Sequence, residues 1–310
     1  MILSVSRRTD IPAFYGEWFF NRIREGFALV RNPMNPHQVS RVDISPASVD
    51  CIVFWSKDPE KMIDKLDELA DYTYYFQFTL TPYNREIEPN LREKREILET
   101  FMRLSELIGR ERVIWRYDPV IITERLTIDW HLKAFESMAR KLSKFTEKCV
   151  ISFVDIYRKI LRNVRRIEAK EADGRELHRL ARGLSEIAGA NGLVIETCSE
   201  LIDLSEHGIR HGRCVDDRLI SRLLGRELIV SKDRNQREAC GCVESVDIGA
   251  YNTCPNGCLY CYANFNKTSV EKSRRTYDPD SPMLCDMLKD FDRITERKKK
   301  DGNGKQTKLF

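Results

Sequence analysis

The chain has 310 residues, 42% of them hydrophobic, enough for one large domain or two ordinary ones around a sizeable core. Its 52 basic and 48 acidic side chains nearly cancel, so a net charge of +4 excludes a dedicated, broadly basic nucleic-acid binder. An apolar run of membrane-spanning length and a secretory leader are both missing, and a soluble cytoplasmic protein is expected.

In chain order, short β-rich runs alternate with amphipathic stretches over the first two-thirds. Strands are predicted at Ile2–Val5, Cys51–Trp55, Tyr74–Leu80, Val113–Arg116, Cys149–Val154 and Leu193–Thr197, most of them continuously apolar, as parallel strands covered on both faces are. Between them, apolar residues recur at helical spacing from Ile97 to Ile108, from Trp130 to Leu142 and from Glu176 to Ala188. The turn-rich stretch Arg31–Ser48, with N-P-M-N-P, reads as an excursion or hairpin. The expected fold is α/β, a partial (βα)6 TIM-like barrel over residues 1–198. A cysteine-rich region, 199–295, closes one end, and a basic tail, 296–310, follows it.

Sites in parallel α/β folds form at the carboxyl ends of strands. The polar residues there are Arg7, Arg8 and Asp10; Ser56 and Lys57; Thr79 and Thr81; Arg116 and Asp118; Ser152 and Asp155; Glu196 and Glu200. Each alone fits an ion pair or a cap as well as a site, but their recurrence on nearly every strand favours function.

Only two of the ten cysteines, Cys51 and Cys149, precede position 190, and both open predicted strands as small buried hydrophobes. Cys285, on an apparent apolar helical face, gets the same reading. In Y-N-T-C-P-N-G-C-L-Y-C, by contrast, Cys254, Cys258 and Cys261 crowd into eight positions, and Gly257 lets the loop turn tightly. Soft thiolates suit iron–sulfur clusters, whereas structural zinc usually takes four protein ligands. Cys198, Cys214, Cys240 and Cys242 make up one further complete ligand set, for an auxiliary 4Fe-4S cluster or zinc, or are unligated thiols. His207 and His211, four apart, are secondary candidates.

The C-x3-C-x2-C motif with Tyr260 before its last cysteine resembles the cluster motif of the radical S-adenosylmethionine superfamily. The resemblance implies a 4Fe-4S cluster on Cys254, Cys258 and Cys261 and S-adenosylmethionine on its open iron. It also implies reductive cleavage to a deoxyadenosyl radical, with Tyr260 against the adenine and an electron donor such as ferredoxin or flavodoxin. The motif lies after six βα units, whereas superfamily members usually carry it after the first barrel strand; a late cluster motif is also found in the thiamine-pyrimidine synthases. The whole chain is similar to a prokaryotic family that combines S-R-R-T-D-I-P, W-R-Y-D-P and this late motif. On this reading Arg116 and Lys57 bind carboxylates of S-adenosylmethionine or substrate, and Asp118, Asp155 and Glu196 bind ribose or substrate polar groups. Arg7, Arg8, Asp10, Ser56 and Thr79 complete the cofactor-binding set.

The final Gln306–Phe310, Q-T-K-L-F, resembles the peptides by which bacterial DNA-processing proteins dock on the sliding clamp. That keeps open a nucleic-acid repair enzyme similar to spore photoproduct lyase. A non-catalytic iron–sulfur or zinc protein associated with nucleic acid is the rival from another class.

Overall fold

A computed structural model describes residues 1–154, 161–170, 172–264 and 266–297. Its strands are β1 (Ile2–Val5), β2 (Phe27–Asn32), β3 (Asn35–Asp43), β4 (Cys51–Ser56), β5 (Tyr74–Thr79), β6 (Val113–Val120), β7 (Lys148–Phe153), β8 (Val194–Thr197), β9 (Arg210–His211), β10 (Val246–Asp247) and β11 (Arg293–Glu296). Its helices are α1 (Ile11–Phe14), α2 (Gly16–Glu25), α3 (Glu60–Ile63), α4 (Lys94–Ile108), α5 (Ile128–Leu142), α6 (Leu161–Arg166), α7 (Gly174–Ala190), α8 (Asp217–Leu224) and α9 (Lys267–Arg275).

Eight strands form one sheet in the order β10-β1-β4-β5-β6-β7-β8-β9, with every neighbouring pair parallel. Successive residues of a strand point to opposite faces, and the core divides accordingly. Leu3, Val5, Ile52, Phe54, Phe76, Phe78, Trp115 and Ile151 belong to the large cluster packed under the helices, where Trp115 stacks on Phe135 of α5 at 4.9 Å. Their alternates Ile2, Cys51, Val53, Tyr75, Ile114 and Val150 pack instead against Cys214, Val215, Leu219, Ile220, Cys240, Cys242 and Val243. The cysteine-rich segment thus covers one face of the sheet and also lends it a strand at each edge, β9 and β10.

The six predicted strands all occur, as neighbours in one parallel sheet. β6 runs four residues beyond its expected end, through Asp118 and Pro119, because its terminal residues still pair with β7 after a register shift. The predicted excursion is a β-hairpin: β2 and β3 pair antiparallel, and β11 adds a parallel strand to β3. The three amphipathic stretches are α4, α5 and α7, each beginning at a side-chain cap: capping boxes at Glu93/Glu96 and Asp173/Glu176, and Thr127 accepting from the Trp130 amide. Cys51 and Cys149 are fully buried in β4 and β7. Cys285 is buried as well, but the helix expected for it does not form: it stands in a turn with φ +52°, next to Met283, whose backbone bridges to Leu29. Among the described residues, no helix is long and apolar enough to cross a membrane.

Tyr75 ties the cysteine-rich segment to the sheet. Its hydroxyl donates to the Cys214 carbonyl at 2.6 Å and accepts from the Asp216 amide at 3.1 Å. Tyr75→Phe leaves both groups buried without that partner, and a loss of about 1–3 kcal/mol is expected in urea unfolding.

Candidate functional site

Three cysteines lie in one loop docked over the carboxyl ends of β1, β4 and β5. The Asn90 side chain donates to the Pro255 carbonyl at 2.8 Å, the Leu259 amide to the Ile87 carbonyl at 3.0 Å, and the Asn256 side chain to Asp10 at 3.2 Å. From below, the Tyr15 hydroxyl donates to the Thr253 carbonyl at 2.5 Å. Gly257 takes φ +68°, and a Cβ there would come within 3.0 Å of the Asn90 amide nitrogen, so the turn needs glycine for both conformation and space. Cys254 and Cys258 are buried and Cys261 is half-buried.

Glu88, in the loop between β5 and α4, is the centre of this region. Its fully buried carboxylate accepts from Lys57 at 2.7 Å, from Thr81 at 2.9 Å, and from Lys94 and the Tyr260 hydroxyl. Burial pushes its pKa up, but Lys57 and Lys94 outweigh that and hold it down at about 2. The Lys57 ammonium also stands 5.4 Å from the Tyr260 ring centre. Burial drives the Cys258 thiol up to about 12 against the opposing pull of Lys57. Two aligned lysines and a buried carboxylate therefore set the charge beside the thiols. Glu88 escaped the sequence reading because it lies in a loop rather than at a strand end; its place in a strand-to-helix loop at the same end of the sheet was the available signal.

The other predicted residues fall along the same strand ends. Asp10 caps α1 and accepts from Ser56 at 2.7 Å and the Lys57 amide at 2.8 Å; burial raises its pKa to about 6. Asp10 and Ser56 thus join β1, β4 and the three-thiol loop. Asp247 of β10 accepts from Ser4 and Ser6 at 2.7 Å and from the Arg7 amide at 2.8 Å. Both Arg7 and Arg8 lean on Asp247, at 3.9 Å each, and Arg7 Nη1 is buried without a hydrogen-bond partner. Thr79 is in register with Arg116. Arg116 is buried between Asp118, which also accepts from Ser152, and the Cys214 sulfur, at 2.6 Å from Nη1. Burial opposes the Lys57 charge, but Glu88 outweighs it and, with a smaller contribution from Asp118, raises the Lys57 pKa. Glu196 turns instead to Lys148, at 2.9 Å, which also meets Asp216 at 3.2 Å; this is an ion-pair network under the start of α8. Glu200 accepts from the Phe153 amide at 2.8 Å. Asp155 and Gln306–Phe310 lie outside the described residues.

The second thiol set converges. Cys198 and Cys214 have sulfurs 3.1 Å apart, and the Cys242 sulfur accepts from the Cys214 amide at 3.2 Å. A bond from Cys198 favours the Cys214 thiolate, but the contact with Cys242 and burial outweigh it and hold the pKa at about 12. Contact with Cys242 lowers the pKa of Cys240. His207 and His211 do not come together: His211 bonds Thr197 at 3.2 Å, while His207 faces His178 at 3.0 Å. His178, Glu206 and His207 form the single group among the described residues whose metal-capable atoms all lie within 4.8 Å of one another.

The three-thiol loop suits a thiophilic metal group in donor chemistry: three soft sulfurs on one loop, two of them buried, beside a compensating cation. Glu88→Gln leaves two aligned lysines against a neutral partner, and a destabilisation of about 3–5 kcal/mol is expected. Because the folded pKa of Glu88 lies below its unfolded value, wild-type stability should fall as pH drops from about 4.5 toward about 2. Urea midpoints across that window should show a flatter slope for the variant.

Among solved structures, the chain is similar to that of a "putative alpha-L-fucosidase" from Bacteroides thetaiotaomicron VPI-5482, at 8% identity and a TM-score of 0.26, over 73% of this chain and 83% of that one. A search of curated proteins returned no match. The model of the family described as "Domain of unknown function (DUF1848)" matches residues 2–263, and the chain belongs to that family.

Proposed function

We propose that this chain is a radical S-adenosylmethionine-type enzyme acting at the carboxyl ends of a parallel sheet that serves as a partial TIM-like barrel. Cys254, Cys258 and Cys261 would hold a 4Fe-4S cluster. When bound, that group supplies a low-potential electron and an iron open to S-adenosylmethionine. The observation that carries the reading is the docking of the three-thiol loop onto the strand ends beside Lys57, Glu88 and Tyr260, where parallel α/β sheets build their sites.

The surrounding side chains have separable tasks. Lys57, fixed by Glu88, offsets negative charge on the thiolates. Arg7, with a buried N–H lacking a partner, is the donor best suited to an anionic group such as the methionine carboxylate. Asp118, held by Arg116 and Ser152, offers a fixed acceptor to a ligand hydroxyl. Tyr260 spends its hydroxyl on Glu88, which leaves its ring as an apolar surface for the adenine. A ferredoxin or flavodoxin would supply the electron.

After anaerobic purification, reconstitution and chemical reduction, the protein is expected to release 5'-deoxyadenosine from S-adenosylmethionine, and Cys258→Ala to fall to background. Arg7→Met should weaken S-adenosylmethionine binding by about 10–100-fold with iron content unchanged. A fully loaded, reduced protein that yields no 5'-deoxyadenosine would overturn the reading.

A further inference from the structure

We propose that Cys198, Cys214, Cys240 and Cys242 hold a second iron–sulfur cluster, seated against Arg116 on the face of the sheet covered by the cysteine-rich segment. This assignment concerns a different set of ligands from the three-thiol loop and does not depend on what that loop holds.

The four thiols come from separate stretches: the end of β8, the connection from β9 to α8, and the loop before β10. None is in a disulfide. Cys214, Cys240 and Cys242 are buried in one apolar cluster, and Cys198 packs against it. Packing alone does not require four polarisable sulfurs at one place, and it does not explain the donors aimed at them. The buried Arg116 guanidinium donates to the Cys214 sulfur at 2.6 Å, and the amides of Cys214 and Val215 donate to the Cys242 sulfur at 3.2 and 3.4 Å. N–H groups directed at sulfur are how proteins stabilise and tune thiolate-held clusters.

Gly241, between two of the cysteines, adds a constraint. A Cβ there would lie 3.0 Å from the Gly212 carbonyl oxygen and 3.0 Å from the Arg213 side chain, so the C-G-C turn is pressed against the stretch carrying Cys214. The glycine keeps the two segments close enough to share ligation.

Spacing bears on the class of metal group. A single tetrahedral zinc with bonds of about 2.3 Å draws its four sulfurs to within about 3.8 Å of one another. No three of these sulfurs are that mutually close: the one group within 4.8 Å all round among the described residues is the His178, Glu206 and His207 set. The thiols run as a chain of neighbours, Cys198 to Cys214 to Cys242 to Cys240, rather than closing around one ion.

The test uses the full chain, expressed and reconstituted without oxygen, with iron, acid-labile sulfide and zinc assayed and the reduced protein examined by electron paramagnetic resonance. Wild type should bind about eight irons, and a C254A/C258A/C261A variant about four, with the signal of a reduced 4Fe-4S centre. Adding C198S and C240S to that variant should abolish the remaining iron, with circular dichroism confirming that the chain is folded. In the triple variant, Arg116→Met should shift the residual midpoint potential to a more negative value. Zinc in place of iron, a Cys198–Cys214 disulfide without metal, or a folded triple variant free of iron would each overturn the second centre. Wild type with about four irons, all lost in the triple variant, would overturn it while leaving the first reading intact.

Discussion

A carboxylate with no access to water organises this end of the molecule. Glu88 accepts from Thr81 and Lys94, which bracket its own loop, from Lys57 after β4, and from Tyr260 in the three-thiol loop. Burial of such a charge is tolerable only when its partners are held in place, so the loop carrying Tyr260 cannot drift from the ends of β4 and β5 without exposing an uncompensated ion. The same requirement aligns the lysines, and from Lys57 the charges pass through Asp118 to Arg116 and the Cys214 sulfur. Charged side chains thus adjoin both thiol sets, Lys57 at one and Arg116 at the other.

The repeating units were legible in the sequence because their physics is local. Continuous apolar runs fixed six strands to within a few residues, and helical periodicity with capping residues fixed α4, α5 and α7. What could not be read was non-local. Two-residue strands such as β9 and β10 carry no pattern of their own, and they exist because the neighbouring edges have backbone groups to satisfy. Cys285 misled for a related reason: Met283 packs against Leu29 of β2 and Leu284 joins the main core, while Met287 and Leu288 are exposed, so an apolar run forms no helical stripe.

The site shows the same division. Strand-end placement brought Arg7, Asp10, Ser56, Lys57, Arg116 and Asp118 to one end of the sheet, as the parallel topology requires. It did not say which of them would be used up in holding the scaffold. Asp10 and Ser56 join strands to the three-thiol loop, and Glu196 turns to Lys148, because a buried polar group takes the partner that geometry offers first. Glu88 was missed for the opposite reason: only its place in a strand-to-helix loop marked it, and its partners are set once the loop closes.

The pairing of β10 with β1 has a consequence for how the protein is made. β1 is synthesised long before β10, yet one of its edges is closed by Val246 and Asp247, and Asp247 accepts from Ser4 and Ser6, 243 and 241 residues away. Such contacts between distant parts of the chain form slowly, since a long loop must close before any of them contributes. During translation the nascent sheet is thus left with one bare edge until β10 has left the ribosome. A chaperone or a slow elongation rate between β8 and β10 would have its greatest effect on this protein at that stage.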